Sequence, residues 1–385
     1  MSITIGIIGT GAMGAGIAQV AASNHCKVLL HDTNTTMLQK AIDGISNSLS
    51  KLAEKGKINT AEQIQILSNI TSHQNMDDLK GCNMIIEAIV EDLNVKQKVF
   101  ARLEQLVSDD CILASNTSSL SIASIASACK NKERVIGIHF FNPAVLMPLV
   151  EIIPALTTSQ KVFDESLSII KSWGKVTVKA KDTPGFIVNR LARPYYGEAI
   201  KIYEEGMADF VTIDHAMKTL GGFKMGPFEL MDFIGNDVNY RVTETVWQQF
   251  FYDARYRPSL TQKRLFEAGL FGRKTGKGYY NYNATTMPQP NNDEALQYKI
   301  FIRIIAMLIN EAAEALLLQI GTREDLDLAM VKGVNYKQGL LKWADELGLE
   351  TILNELHELH QWFGDDRYRP SVMLKQKVKE GKLFY

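Results

Sequence analysis

Short apolar runs rich in β-branched residues alternate with helical periodicity over the first 180 residues. This alternation predicts a parallel sheet covered by helices on both faces. A polar, helical segment at 41–67 is too long for a simple crossover and predicts a helical hairpin projecting from the sheet. The six predicted strands are Thr4–Ile8, Lys27–His31, Met84–Ile89, Cys111–Ser115, Val135–Phe141 and Val176–Lys179.

The pattern becomes purely helical after Lys181. Asp182-Thr183-Pro184 offers two cap residues followed by proline, which is typical of a helix start. Residues 284–297, rich in Asn, Thr and Pro at their start, predict a linker between two helical regions. The predicted fold class is therefore α/β: a sheet domain over 1–183, then all-α domains over 184–283 and 298–385.

The second helical domain repeats the first. Arg255–Ser259 (RYRPS) recurs identically at Arg367–Ser371, an offset of 112 residues. Three collinear matches with one residue of slippage indicate an internal duplication. The other matches, at an offset of 113, are IDHAM at 213–217 with LDLAM at 326–330, and Gly226, Asp232 and Gly235 with Gly339, Asp345 and Gly348.

The composition of the chain argues against several classes of function. The chain has 385 residues, a net charge of −1, 46% hydrophobic and 22% charged residues, which suits more than one apolar core and argues against nucleic-acid binding. Four cysteines without a CxxC pair favour neither a disulfide framework nor a zinc site. His357-Glu358-Leu359-His360 lacks the HExxH spacing, so we expect no metal site. With no basic residue before Lys27 and no long apolar run, we expect neither signal peptide nor membrane span, and a cytoplasmic location.

A glycine-rich turn follows the first predicted strand and opens a helix. Gly9, Gly11 and Gly14 form GxGxxG, in which Gly9 permits the tight turn, Gly11 admits a pyrophosphate and Gly14 allows close helix–strand packing. The second strand is followed by Asp32, whose carboxylate suits both ribose hydroxyls and repels a 2′-phosphate. Because no arginine precedes Arg102, the pattern predicts a Rossmann-type site for NAD rather than NADP.

Candidate chemistry lies near the ends of later strands. His139 ends an apolar strand, where an open parallel sheet binds ligands, but a half-buried histidine held by a backbone carbonyl fits equally well. Glu151 sits among apolar residues, so it is either a partner for a histidine or an outward residue of an edge strand. Ser118 belongs to ASNTSSL, whose polar groups suit a ligand or a plain turn. Lys51, Lys55 and Lys57 suit phosphate binding or a solvated helix face.

The motifs GTGAMGAGIAQVAA, EAIVEDLNVKQ, ASNTSSL, HFFNP, VEII and KDTPGFIVNR occur in this order. Together they resemble the NAD-dependent (S)-3-hydroxyacyl-CoA dehydrogenase family, over residues 3–283, and the tail resembles the duplicated C-terminal domain of some members. The resemblance implies that His139 is the catalytic base and Glu151 the acid that orients it. It also implies that Ser118 and Asn189 hold the substrate at the reacting carbon.

The resemblance assigns further positions to ligands. It places Ser48 and Lys55, with Ser118, at coenzyme A, and leaves Lys51 and Lys57 undecided. The internal offset puts Asn189 on Ile302, which implies that the second copy is not a second active half. The positions expected at NAD are Gly9, Gly11, Met13, Gly14, Asp32, Glu91, Lys96, Ser118, Asn142 and Lys274.

The resulting hypothesis is reversible NAD-dependent oxidation of a 3-hydroxyacyl-CoA. The alternatives are a dehydrogenase of a small free hydroxy or sugar acid on the same fold, and a non-catalytic NAD-binding relative. The acyl tail stays open among hydroxybutyryl, medium-chain and hydroxyadipyl groups. In relatives with one helical domain that domain forms the dimer interface, so the second copy is expected to take the partner's place within one chain, although a homodimer stays possible.

Overall fold

The computed structural model describes residues 3–385, and the chain divides into two compact units, Met1–Thr183 and Pro184–Tyr385. The first unit contains one eight-stranded sheet. Its strands are β1 (Thr4–Ile8), β2 (Lys27–His31), β3 (Ile70–His73), β4 (Met84–Glu87), β5 (Ile112–Ser115), β6 (Val135–Phe140), β7 (Leu149–Pro154) and β8 (Val176–Lys179).

The sheet has the order β3-β2-β1-β4-β5-β6-β7-β8, and each neighbouring pair is parallel except β6 with β7. The predicted mostly parallel sheet is therefore confirmed. Helices cover it and bury its apolar side chains, including Ile5, Ile7 and Ile86. The helices of this unit are α1 (Ala12–Ser23), α2 (Thr35–Glu54), α3 (Thr60–Ser68), α4 (Leu93–Leu106), α5 (Ile122–Ala126) and α6 (Gln160–Ser172).

Two strands, β3 and β7, are additional to the six predicted. The edge strand β3 has the sequence ITSH, of which only Ile70 is buried, so it lacks a clear apolar signal. Strands β1, β2 and β8 have the predicted bounds, whereas β4, β5 and β6 end early or begin late by one or two residues. At the end of β4, for example, the N–H of Ile89 donates to the Glu87 carboxylate at 2.7 Å, and this bond turns the chain out of the sheet.

The helical hairpin expected at 41–67 consists of α2 and α3, and α2 begins six residues earlier than predicted. The side chain of Asn34 accepts hydrogen bonds from the backbone of Thr36 and Met37, which fixes the start of the helix. Asn59 caps α3 in the same way, with Glu62 completing a capping box.

The predicted helix start at Asp182-Thr183-Pro184 is wrong, since the next helix, α7, begins at Val188. Asp182 does cap a helix, but a different one. Its carboxylate accepts hydrogen bonds from Ser121 Oγ and from the N–H groups of Ile122 and Ala123 at the start of α5. A cap residue thus serves a helix some sixty residues earlier in the chain, a pairing that local sequence cannot reveal.

The second unit is all helical apart from isolated bridges near Gly272–Asn281. Helix α13 begins inside the expected linker of 284–297, because Asp293 caps it through the N–H groups of Ala295 and Leu296. The helices are α7 (Val188–Leu191), α8 (Arg193–Glu204), α9 (Phe210–Thr219), α10 (Pro227–Ile234), α11 (Asn236–Gln249), α12 (Leu260–Glu267), α13 (Glu294–Leu317), α14 (Arg323–Gly333), α15 (Leu340–Leu347), α16 (Leu349–Phe363) and α17 (Val372–Glu380).

The structure confirms the duplication, because α8 to α12 recur as α13 to α17. The buried Asp214 on α9 accepts hydrogen bonds from the first N–H groups of α10, and the buried Asp327 on α14 does the same for α15. The two copies pack with α13 against its counterpart α8. Within residues 3–385, no helix has the length and apolarity needed to cross a membrane.

Candidate active site

The candidate site of the first unit lies at the carboxyl ends of the central strands. Strand order reverses beside β1, whose two neighbours are β2 and β4, and an open α/β sheet binds ligands in the crevice that forms at such a point. The glycine turn follows β1, Asp32 follows β2, and the segment 88–92 follows β4. The glycine turn, Asp32 and the segment that contains Glu91 therefore lie at this edge of the sheet.

The presence of glycine at positions 9, 11 and 14 has a different structural explanation at each position. Gly9 has a φ of +96°, and a Cβ there would lie 2.6 Å from the carbonyl oxygen of Ala88. A Cβ on Gly14 would overlap the carbonyl oxygen of Gly9, so helix and turn approach too closely for any side chain. A Cβ on Gly11 would meet nothing within 4 Å. The fold itself therefore does not require a glycine at position 11, and the close approach of a ligand explains why a glycine is present.

The start of α1 is suited to a phosphate. Gly11 precedes the helix as its N-cap and has no side chain to satisfy the first N–H groups. A helix N-terminus presents these donors and the positive end of its dipole, which is the arrangement that binds dinucleotide pyrophosphates. Both the open space at Gly11 and this cap therefore fit NAD. Met13, the remaining predicted residue of the turn, packs partly buried against the apolar core.

Asp32 is held in place by the glycine turn. Its carboxylate accepts hydrogen bonds from the N–H and Oγ of Thr10, at 3.0 and 2.7 Å, and from the N–H of Asn34 at 3.0 Å. Partial burial opposes ionisation, but these donors hold the pKa of Asp32 below its ordinary value. The carboxylate is therefore ionised and oriented at the end of β2, as binding of ribose hydroxyls requires.

A network of salt bridges and hydrogen bonds links the ends of β4 and β5. Lys96 Nζ is buried and lies 2.6 Å from Glu87 and 3.3 Å from Glu91. Glu87 also accepts a hydrogen bond from Ser115 Oγ at 2.6 Å. Sequence reasoning singled out Lys96 and Glu91 but missed Glu87, whose partners come from three separate segments of the chain.

Glu91 joins this network to the turn that carries Ser118. Its Oε1 accepts hydrogen bonds from Thr117 Oγ1 and from the N–H groups of Ser118 and Ser119. Burial alone would raise the pKa of Glu91, but the Lys96 ammonium and these donors lower it below its ordinary value. The ionised Glu91 therefore bonds directly to the turn that carries Ser118.

His139 and Glu151 form a buried pair. The two residues lie directly opposite each other in the antiparallel pairing of β6 with β7. His139 Nδ1 is 2.7 Å from Glu151 Oε2, and the side chains are 7% and 0% exposed. The Phe141 ring packs against the imidazole at a centroid distance of 4.5 Å. Of the two sequence interpretations for each residue, the structure supports the histidine–carboxylate pair, which fixes the tautomer and orientation of the ring.

The other predicted positions lie as follows. Asn142 is exposed directly after β6, and the half-buried Ser48 lies on α2. The exposed Lys55 caps the same helix at its C-terminal end. Asn189 on α7 and Lys274, which forms a salt bridge with Asp237, belong to the second unit.

Comparison with known proteins assigns both units to one protein family. The family model for the 3-hydroxyacyl-CoA dehydrogenase NAD-binding domain matches residues 4–183. The model for the C-terminal domain of the same family matches at residues 185–282 and again at 300–384.

Individual relatives agree with the family models. The 3-hydroxyadipyl-CoA dehydrogenase of Escherichia coli is 35% identical, with 97% of each chain covered. The 3-hydroxybutyryl-CoA dehydrogenase of Clostridioides difficile is 42% identical over 72% of this chain and 99% of its own. A crystal structure of 3-hydroxybutyryl-CoA dehydrogenase from Escherichia coli superposes with a TM-score of 0.94 at 34% identity, covering 99% of both chains. The chain therefore belongs to the NAD-dependent 3-hydroxyacyl-CoA dehydrogenase family.

Proposed function

We propose that His139 and Glu151 carry the chemistry of this dehydrogenase, the reversible oxidation of the C3 hydroxyl of an (S)-3-hydroxyacyl-CoA. The observation that carries the proposal is the buried 2.7 Å contact between His139 Nδ1 and Glu151 Oε2, at the strand ends where the nucleotide residues also converge. A histidine oriented by a carboxylate is suited to take up a proton in one direction of a reversible reaction and return it in the other.

The proton and the hydride leave the substrate separately. Because Glu151 engages Nδ1, the Nε2 atom of His139 is the one that takes the C3 hydroxyl proton as the carbonyl forms. NAD, when bound, supplies the acceptor for the hydride that leaves C3. In the reverse direction the imidazolium returns the proton to the developing alkoxide, and the Glu151 carboxylate stabilises the cationic ring.

The remaining residues bind and orient the two ligands. Ser118 and Asn189 hold the substrate near C3, and Ser48 and Lys55 on the hairpin contact coenzyme A. The pyrophosphate lies on Gly11 and the start of α1, and the ribose on Asp32. Glu91, Lys96, Asn142 and Lys274 complete the NAD site.

A comparison of variants tests the catalytic pair. General acid–base catalysis contributes about 10²–10⁴-fold, so His139→Ala is expected to lower kcat for acetoacetyl-CoA reduction by that factor. NADH binding, measured by fluorescence titration, should persist. His357→Ala, at an exposed position on α16, is the control and should match the wild type. Near-normal turnover of His139→Ala would refute the assignment.

The substrate class is tested with thioesters and free acids. The relatives that match nearly the whole chain are named for hydroxyadipyl and hydroxybutyryl thioesters, so the corresponding 3-ketoacyl-CoA compounds should be compared first. The proposal predicts that acetoacetyl-CoA is reduced with NADH far faster than free acetoacetate. Equal rates would favour the small hydroxy-acid alternative.

We also propose that the second helical copy takes the place of a partner subunit. In support, α13 packs along α8 within one unit, and buried ion pairs run in both directions between the copies. Light scattering should then give a mass near the 43.1 kDa of one chain. A stable dimer at micromolar concentration would contradict this proposal.

A further inference from the structure

The residue after Asn189 is tied to the second helical copy. Arg190 is 1% exposed, and its Nε lies 2.5 Å from the carboxylate of Glu311 on α13. The Phe250 ring lies against the guanidinium, 5.0 Å from its carbon to the ring centroid. Burial lowers the pKa of Arg190, but Glu311 and the surrounding groups raise it above its ordinary value, so the guanidinium is charged. The buried arginine thus anchors the short helix α7.

Glu311 collects several donors from the first copy. Besides Arg190, the hydroxyl of Tyr256 donates to it at 2.6 Å, and Arg255 Nη1 lies 3.9 Å away. The carboxylate is itself 2% exposed. A buried carboxylate bonded in this way holds its partners in fixed positions, because losing any of these bonds leaves a buried polar group unsatisfied.

The same cluster exists with the roles of the copies exchanged. Glu198 of the first copy accepts from Arg303 Nε at 2.7 Å and from Tyr368 at 2.9 Å, and Arg367 lies 3.0 Å away. These residues are the counterparts of Glu311, Arg190, Tyr256 and Arg255 at the repeat offsets of 113 and 112. The two clusters are therefore related by pseudo-two-fold symmetry.

The two clusters differ in their neighbours. Arg190 adjoins Asn189, whereas Arg303 adjoins Ile302, the apolar counterpart of Asn189. The backbone around Asn189 is also constrained, because the N–H of Arg190 donates to Gly185 and the carbonyl of Asn189 accepts from Arg193. One cluster thus supports a residue assigned to the substrate, and the other supports an apolar residue.

We propose that Glu311 is a positioning residue for the dehydrogenase reaction: through Arg190 it fixes α7 and hence the side chain of Asn189. The inference rests on the proposed function, since it requires that Asn189 orients the substrate. The second copy, which has Ile302 at the position equivalent to Asn189, would then contribute to catalysis without touching the substrate.

The symmetric cluster supplies a matched control. Glu311→Gln and Glu198→Gln remove the same charge from equivalent buried sites, in the full chain. Because a displacement of about 1 Å can cost up to 10²-fold in rate, we expect Glu311→Gln to lower kcat for acetoacetyl-CoA reduction about 10-fold or more, with NADH affinity unchanged. Glu198→Gln should keep kcat within about 2-fold of the wild type, because its partner Arg303 adjoins Ile302 and not Asn189. Equal losses in both variants, or none in Glu311→Gln, would overturn the proposal.

Stability must be separated from positioning. Each substitution leaves one buried arginine without its carboxylate, Arg190 in Glu311→Gln and Arg367 in Glu198→Gln. The other arginine of each cluster keeps a second carboxylate, so both variants are expected to lose stability to a similar extent. Rates are therefore measured at a temperature where circular dichroism shows each variant folded. If Glu311→Gln does not fold, Glu311→Asp retains the charge on a shorter side chain, and the same loss of kcat is expected from it.

A double-variant cycle distinguishes positioning of Asn189 from a purely structural role of Glu311. If Glu311 acts through Asn189, then Asn189→Ala combined with Glu311→Gln should be no slower than Asn189→Ala alone. Multiplying losses would overturn the proposal. Failure of the wild type to reduce acetoacetyl-CoA would instead reject the proposed function. If the wild type is active and Asn189→Ala is impaired but Glu311→Gln is not, only the role of Glu311 is rejected.

Discussion

The pair of His139 and Glu151 allows a quantitative prediction for Glu151→Gln. The amide has the size of the carboxylate and can still reach the imidazole, but it removes the charge that stabilises the imidazolium. A hydrogen bond to a charged group contributes about 1.5–3 kcal/mol. At about 1.36 kcal/mol per factor of ten, its loss from the transition state lowers kcat about 10- to 150-fold. The expected effect is smaller than that of His139→Ala, because the proton acceptor itself remains.

The assay is the initial rate of NADH oxidation with acetoacetyl-CoA, with kcat and KM determined separately. Glu133→Gln, an exposed position of the same unit, is the matched control and should leave both constants unchanged. The NADH dissociation constant of Glu151→Gln should equal that of the wild type. A kcat within 2-fold of the wild type, in a folded protein, would refute the reasoning, since the buried contact would then have no part in catalysis.

Three further predictions concern the nucleotide crevice. Gly11→Ala should unfold at the wild-type temperature yet bind NADH at least about 10-fold more weakly, as measured by differential scanning fluorimetry and NADH titration. Gly14→Ala should instead unfold at a lower temperature, because its Cβ overlaps the carbonyl oxygen of Gly9. Asp32→Ala should weaken NADH binding and relax the preference against NADPH, and since the pKa of Asp32 is held low, wild-type NADH affinity should not fall between pH 8 and pH 5 through this group. The pKa of Glu91 is lowered, so its contribution to stability is present above the unfolded-state pKa near 4.5 and is lost as the pH falls through the folded-state pKa. Urea unfolding should therefore show Glu91→Gln to be less stable than the wild type at pH 7, and this difference should become smaller in acid.

The fold could be predicted wherever one segment carries its own signal. The central strand Thr4–Ile8 has the sequence TIGII, which is rich in β-branched residues, and its bounds agree with the prediction to the residue. The edge strand Ile70–His73 has no such pattern, because an edge position needs only one buried side chain. The helix boundary at 182–184 was misplaced, because Asp182 caps a helix that is distant in the sequence.

The residues of the candidate site could likewise be predicted only where a single segment carries its own signal. GxGxxG and Asp32 have a fixed relation to one strand–helix–strand unit, so spacing alone predicts them. The pairing of His139 with Glu151 needs the register of two strands, which spacing does not give, and the choice between alternatives at these positions came from the family resemblance. Glu87 could not be found, because a charged residue ending a strand is common and its partners Lys96 and Ser115 are known only from the structure.

Fusion of the two helical copies into one polypeptide has a consequence for evolution. In an assembly of identical subunits, any substitution at a symmetric position appears on both sides of the axis at once. Here each side is encoded separately, so the position of Asn189 can keep its amide while the position of Ile302 drifts to an apolar residue. Selection can therefore specialise one half for ligand contact and the other for support, an asymmetry that two copies of a single gene product cannot reach.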